Sequence, residues 1–241
     1  VGSAYASEIH VRGGLIGEIK PAALEIGTAV ELHDLFYATP ARLKFLRSEK
    51  AESKAIQDII KRLAIAEPSV NFILRDMSKG GDGRNIFNFR QQEGDREKSI
   101  QGRLAQVLGP NFTENSIFIN TERDGIRLLG YAALPTYSRG AAVQQFFFVN
   151  GRPIKDKLLI GALRGAYSDL LARDRYPAAA LFIQCEPQRV DMNVHPAKAE
   201  VRFREPGIVR GLIISGLKHA LAEVGHRTSS TIGMELSLIH I

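Results

Sequence analysis

Between Gln91 and Lys98 the chain reads Gln-Gln-Glu-Gly-Asp-Arg-Glu-Lys, polar throughout and without an aromatic side chain. Such a stretch has nothing to bury, so the strand and helix patterns on either side must find cover separately. That places a domain boundary near residue 94 in a chain of 241 residues, a length suited to two modest domains. The longest apolar run is about six residues, around Ala178–Ile183, far short of the roughly 20 that a membrane-spanning helix needs. Apolar residues at 44% and charged residues at 24% are ordinary for a globular chain, and 22 Gly with 10 Pro exclude collagen-like and low-complexity classes. A single cysteine, Cys185, rules out an internal disulfide and a cysteine-rich zinc cluster, which suits a reducing compartment. The net charge of +6 favours a polyanionic partner without identifying it.

Residues 1–93 begin with strand-like stretches at Ala4–Val11, Leu15–Lys20 and Thr28–Leu35, broken by Gly13-Gly14, Pro21 and Gly27. Thr39-Pro40 has the form of a helix entry, with Thr as N-cap and Pro in the first turn. Beyond Ser48, the stripe Ile56, Ile59, Ile60 and Leu63 predicts an amphipathic helix capped by Ser48 and Glu52 and stopped by Pro68. Val70–Leu74 and Asn85–Phe89 read as strands around a glycine-rich turn.

After the polar break come a helix on Ile100, Leu104 and Leu108, strands at Ser116–Thr121 and Ile126–Ala132, and a strand at Gln144–Val149. A helix over Asp156–Leu171 and a strand at Ala179–Cys185 follow. Val190–Val194 and Glu200–Phe203 pair around His195-Pro196, and a last helix spans about Ile208–Val224. Strands and helices alternate in some regions and cluster in others, an α+β class with mixed sheets. Residues 227–241 fit neither pattern and are expected to form a disordered or extraneous tail.

Three segments carry more than composition: Gly27-Thr28-Ala29-Val30-Glu31-Leu32 with Phe36-Tyr37-Ala38-Thr39-Pro40-Ala41-Arg42; Phe148-Val149-Asn150-Gly151-Arg152; and Asp191-Met192-Asn193-Val194-His195-Pro196-Ala197-Lys198 closed by Glu200-Val201-Arg202-Phe203. In this order and at these distances they resemble the MutL family of DNA mismatch repair proteins, over about Gly27 to Val224. Ala38 departs from the family pattern, which often has Asn there.

The resemblance implies a two-part ATPase head. Residues 1–93 would be the C-terminal part of a GHKL ATPase α/β sandwich, the group shared with gyrase, Hsp90 and histidine kinases. Residues 94–226 would be a transducer similar to ribosomal S5 domain 2, a fold whose family carries a left-handed βαβ crossover against the general rule. It further implies that Gly27 and Thr28 help hold adenine and that Lys198 touches the γ-phosphate of ATP, distinguishing ATP from ADP. Physically, Gly27 permits close backbone approach and Thr28 brings a hydroxyl, though alone they read as a turn and a strand start. Lys198 alone reads as an exposed loop lysine; in its motif it is a compact point charge suited to a phosphate. His195 lacks a paired carboxylate or nucleophile at suitable spacing and reads as a structural hydrogen-bonding group.

Two segments concentrate positive charge: Thr39–Arg62 has seven Lys or Arg against three acids, and Arg152–Arg175 has six against three. Arg42, Lys44, Lys155, Lys157, Arg164 and Arg173 are the candidate DNA contacts, to phosphates rather than bases. An ordinary solvated helix face accounts for the same pattern.

Hydrolysis in the family needs a general-base Glu, a Mg²⁺-ligating Asn and a glycine-rich lid, and neither such a helix nor such a lid is present in the sequence. Together with Val1 in place of Met, this reads as a piece of a longer chain, with no secretory signal and with the ATP and Mg²⁺ ligands in the part before it. The piece alone would then be catalytically inactive and bind ATP weakly. The intact protein would be a cytoplasmic, nucleoid-associated bacterial ATPase: a homodimeric clamp that binds DNA without sequence preference and couples mismatch recognition by MutS to strand incision. The rival is a nucleotide-independent nucleic-acid-binding module with an S5-like fold.

Overall fold

The computed structural model describes residues 6–192 and 200–237, with side chains as far as residue 224. The chain forms two compact units, Val1–Ala55 and Ile56–Ile241.

The first unit is built of short ladders. β1 (Ala6–Glu8) and, after it, β2 (Val11–Arg12) and β3 (Leu15–Ile16) lead into β4 (Lys20–Ala22); β2 pairs with β3 across Gly13 and Gly14, and β1 pairs with β4. Thr28–Leu35, expected as a strand, joins no ladder, and Val30 and Leu32 are 87% and 78% exposed. Its β-branched and alternating residues suit a strand, but a strand exists only where a neighbour supplies hydrogen bonds. Residues 40–45 form a 3₁₀ helix with Pro40 in its first turn, as expected, while the Thr39 side chain makes no capping bond. α1 (Glu49–Ala66) starts at the predicted cap: the Ala51 amide donates to Ser48 Oγ (3.4 Å) and the Arg47 amide to Glu52 Oε1 (3.0 Å).

In the second unit, β5 (Phe72–Asp76) and β6 (Arg84–Phe89) form a bulged hairpin. α2 (Arg96–Leu108) is capped by Asp95, whose carboxylate accepts from the Lys98 amide at 2.9 Å, and α3 (Pro110–Glu114) follows directly. β7 (Ser116–Arg123) and β8 (Ile126–Ala133) form a hairpin on the Asp124-Gly125 turn. Next come β9 (Ser138–Arg139), β10 (Gln145–Val149), β11 (Arg152–Ile154) and α4 (Lys157–Ala166), a shorter helix than the sequence pattern suggested. β12 (Tyr176–Pro177), which pairs with β9, precedes β13 (Ala179–Gln184). β14 (Val190–Asp191) and β15 (Arg202–Phe203) pair with each other, and α5 (Pro206–Ser237) ends beyond the expected Val224.

The central sheet runs β11-β10-β13-β8-β7, with β10 and β13 parallel and the other neighbours antiparallel. Both faces are covered, so the inner strands carry continuous apolar runs, Phe146–Val149 in β10 and Ala179–Ile183 in β13. Phe147, Leu128 and Leu181 pack with α4 and α5, whereas Phe146, Phe148 and Phe182 pack with Ile65 of α1, Ile100 and Leu104 of α2 and Phe112 of α3. Gly130 (φ +143°) belongs in the middle of β8 because a Cβ there would lie 2.1 Å from the Ala180 carbonyl oxygen.

The polar break does not part the packing. Arg103 on α2 is fully buried, and its Nη2 donates to the carbonyls of Pro68 (2.9 Å), Val70 (2.6 Å) and Arg90 (3.3 Å). Its guanidinium also lies 5.6 Å from the Phe72 ring centroid. Residues on both sides of 91–98 are thereby joined within one unit.

Candidate nucleotide-sensing and DNA-facing residues

Gly27 takes φ +108°, and a Cβ there would meet nothing within 4 Å. Thr28 follows in exposed, irregular backbone, and its hydroxyl has no hydrogen-bond partner among the described residues. The pair presents open peptide and one free hydroxyl, groups able to hydrogen-bond a ligand.

Lys198 and His195 lie outside the described residues, which run up to Met192 and resume at Glu200. Val190 stands opposite Phe203 and Asp191 opposite Arg202 in the β14–β15 ladder. Val190, Val201 and Phe203 are buried in the same core as α4 and α5. Arg189 braces this base from outside: Nη2 meets Glu205 at 2.5 Å and Nη1 donates to the Asp124 carbonyl at the β7–β8 turn. Hydrogen bonding to Glu205 raises the Arg189 pKa further. Both ends of the segment holding Lys198 are thus tied to the core of the sheet.

The candidate DNA-contacting side chains differ in how free they are. Arg42 and Lys44, in the 3₁₀ helix, are exposed and unpaired among the described residues. Lys155 is engaged, with Nζ 2.7 Å from Asp58 Oδ2. Lys157 opens α4, exposed and unpaired among the described residues, just after the capping carboxylate of Asp156. A cation at a helix N-terminus opposes the helix dipole, so helix stability does not explain it there. Arg164 donates from Nη2 to the Arg173 carbonyl (3.1 Å) and lies 5.6 Å from the Tyr176 ring centroid, and the Arg173 guanidinium has no partner among the described residues.

Asn150 does more than make a turn. It takes φ +47° before Gly151, its side-chain oxygen accepts from the Cys185 amide (3.0 Å), and its own amide donates to the Ile183 carbonyl (2.9 Å). It therefore fastens the end of β13 to the β10–β11 turn. Cys185 is partly buried, and burial raises its thiol pKa, in keeping with a packing role.

The sequence reading missed a cluster on α1. Asp58 Oδ2 accepts from Lys155 Nζ and from Arg62 Nε (3.0 Å), and Arg62 lies 4.8 Å from the Phe146 ring centroid. Burial pushes the Asp58 carboxyl up, but the hydrogen bonds from Lys155 and Arg62 outweigh it and hold it below its ordinary value. The i,i+4 spacing of Asp58 and Arg62 was visible as a helical pair; Lys155, 97 residues from Asp58, was not. Among the described residues no three His, Cys, Asp or Glu side chains gather as a metal site.

The family described as DNA mismatch repair protein, C-terminal domain, matches residues 104–222. DNA mismatch repair protein MutL of Paramagnetospirillum magneticum is 50% identical over 231 residues, 96% of this chain and 37% of that protein. The MutL protein of Caulobacter vibrioides is 53% identical over 97% of this chain and 36% of its own length. This chain therefore spans little more than a third of these curated relatives. Among solved structures, the Aquifex aeolicus MutL ATPase domain complexed with ADP matches with a TM-score of 0.56 at 26% identity, covering 86% of this chain and 66% of that one. The N-terminal domain of a DNA repair protein matches with a TM-score of 0.77 at 18% identity, over 90% of this chain and 68% of that one, a likeness of fold.

Proposed function

Because this chain belongs to the MutL family of DNA mismatch repair proteins, we propose that it forms the transducer and the adjoining end of the ATPase domain in an ATP-dependent clamp on DNA. In this reading residues 1–93 complete the ATPase domain and residues 94–226 are the transducer, whose last helix, α5, runs on to Ser237 where a disordered tail was expected from residue 227. The carrying observation is the anchored β14–β15 ladder, which ties both ends of the Lys198 segment to the core of the matched domain.

ATP, with Mg²⁺ held by residues outside those described, supplies the phosphate charge that distinguishes the two nucleotide states. Gly27 and Thr28 hold the adenine, and the Lys198 ammonium is the point charge for the terminal phosphate. The β14–β15 ladder joins the two flanks of the Lys198 segment to the core, so a contact between Lys198 and the phosphate passes nucleotide state to β14, β15 and the core beneath. Arg42, Lys44, Lys155, Lys157, Arg164 and Arg173 contact DNA phosphates without reading bases; Lys155 does so only by leaving Asp58. Dimeric heads, coupling from MutS to strand incision and a nucleoid-associated cytoplasmic location complete the proposal.

The test is Lys198→Ala in the full-length protein, with duplex DNA binding measured in ADP and in a non-hydrolysable ATP analogue. Loss of the difference between nucleotides, with binding retained, is the expected result. If the variant loses only about one phosphate contact of salt-dependent affinity and keeps its nucleotide response, the chain is a passive nucleic-acid-binding module.

A further inference from the structure

The end of α4, the connection after it and β12 enclose a concavity of about 370 Å³, lined by Arg164, Tyr167, Ser168, Arg173, Arg175 and Pro177. None of its three guanidiniums meets a carboxylate among the described residues, a state shared with the buried Arg103. Arg62 and Arg189 each meet a carboxylate, at 3.0 and 2.5 Å. Arg164 and Arg175 are instead held by neutral oxygens: Arg164 by the Arg173 carbonyl, and Arg175 by the Ser138 carbonyl (2.7 Å) and hydroxyl (3.0 Å). Arg173 has no side-chain partner among the described residues. Arg139, paired cross-strand with Tyr176, follows the same rule, bonded to the Tyr137 hydroxyl and to Gln144 Oε1 (3.2 Å) and lying 4.2 Å from the Tyr137 ring centroid.

The nearby acids do not neutralise this group. Asp169 is taken by Lys218 Nζ at 2.8 Å and by the Ser168 hydroxyl at 3.2 Å, which hold its carboxyl below the ordinary range. Asp174, between Arg173 and Arg175, is exposed and makes no hydrogen bond or ion pair among the described residues. A guanidinium fixed by carbonyls keeps its charge and is already oriented, so little side-chain entropy remains to be lost on binding an anion.

We infer that this concavity is a phosphodiester subsite, in which Arg164, Arg173 and Arg175, flanked by Arg139, hold backbone phosphates of duplex DNA. The inference rests on the DNA-binding reading above and adds to it a built pocket and two arginines, Arg139 and Arg175, that the sequence did not single out.

The experiment uses the full-length protein and a 30-base-pair duplex, with affinity measured at several salt concentrations between 50 and 200 mM. The proteins are wild type, Arg173→Ala, Arg173→Ala/Arg175→Ala and the control Lys98→Ala, and thermal melting checks that each is folded. Because Arg173 makes no side-chain bond within the described protein, its single variant separates binding from folding. Each phosphate contact removed lowers the slope of log affinity against log salt by about 0.9, equally on unrelated duplexes, and Lys98→Ala leaves it unchanged. Slopes equal to wild type in both arginine variants overturn the subsite while leaving DNA binding in place. A wild type that fails to bind duplex at 50 mM salt overturns the DNA-binding reading and the subsite with it.

Discussion

Residues 6–55 and residues 56–224 both carry many apolar side chains, and they use them differently. In the first region Ile26, Val30 and Leu32 point to solvent; in the second Phe147, Phe148 and Leu181 are wholly buried between two helical layers. The difference lies in partners. β10 has β11 and β13 beside it and helices over both faces, whereas Thr28–Leu35 has no ladder among the described residues. A β-branched stretch is a strand only in company, and an apolar face left open is a surface that wants cover.

Truncating the core of the second region should have the largest effect. Phe147→Ala is expected to destabilise the chain by about 3–5 kcal/mol, measured by urea unfolding. A cost below about 1 kcal/mol would mean that this region is as loosely packed as the first. Arg103→Ala should come next, at about 2–3 kcal/mol, because a fully buried side chain is removed and three carbonyls lose a charged donor. An unchanged midpoint would show that the 56–93 segment is held without it.

Asp58→Asn should cost about 1 kcal/mol or less, since the pair with Lys155 is partly solvated. Its pH dependence is the sharper measurement. The native Asp58 carboxyl titrates below its ordinary value, so the unfolded chain binds its proton more readily. The contribution is complete above the unfolded carboxylate value of about 3.9 and disappears as pH falls through the lower native value, where wild type and variant should converge. A difference that persists at lower pH would remove the ion pair as its cause.

The smallest effect is expected in the first region. Leu32→Ser should change stability by no more than about 0.5 kcal/mol, because the side chain is already in water. Hydrogen exchange followed by mass spectrometry gives the same comparison residue by residue: amides of 28–35 should exchange rapidly and those of β8, β10 and β13 should be among the slowest. Strong protection over 28–35 would erase the contrast between the regions.

Much of the second region was legible in advance because its signals are local. The stripe Ile100, Leu104 and Leu108 and the apolar runs at Gln144–Val149 and Ala179–Cys185 each specify backbone over a few residues, and the elements form there. The reading failed where a local signal needed a distant answer: Thr28–Leu35 has strand composition without a pairing neighbour, and Thr39 has a capping residue type without the capping bond.

From its sequence alone this chain could be placed in its class and family, since periodicity, turns and motif order are properties of neighbouring residues. Which charges are spent and which are free depended on the tertiary structure. Lys155 was grouped with Lys157 as an equal DNA contact, yet one meets Asp58 across 97 residues of chain and the other stands unpaired at a helix start. The polar break at 91–98 was taken as a divide, and Arg103 joins the residues on its two sides. Such pairings form only when folding brings remote segments within hydrogen-bond reach, a distance that spacing along the chain does not encode.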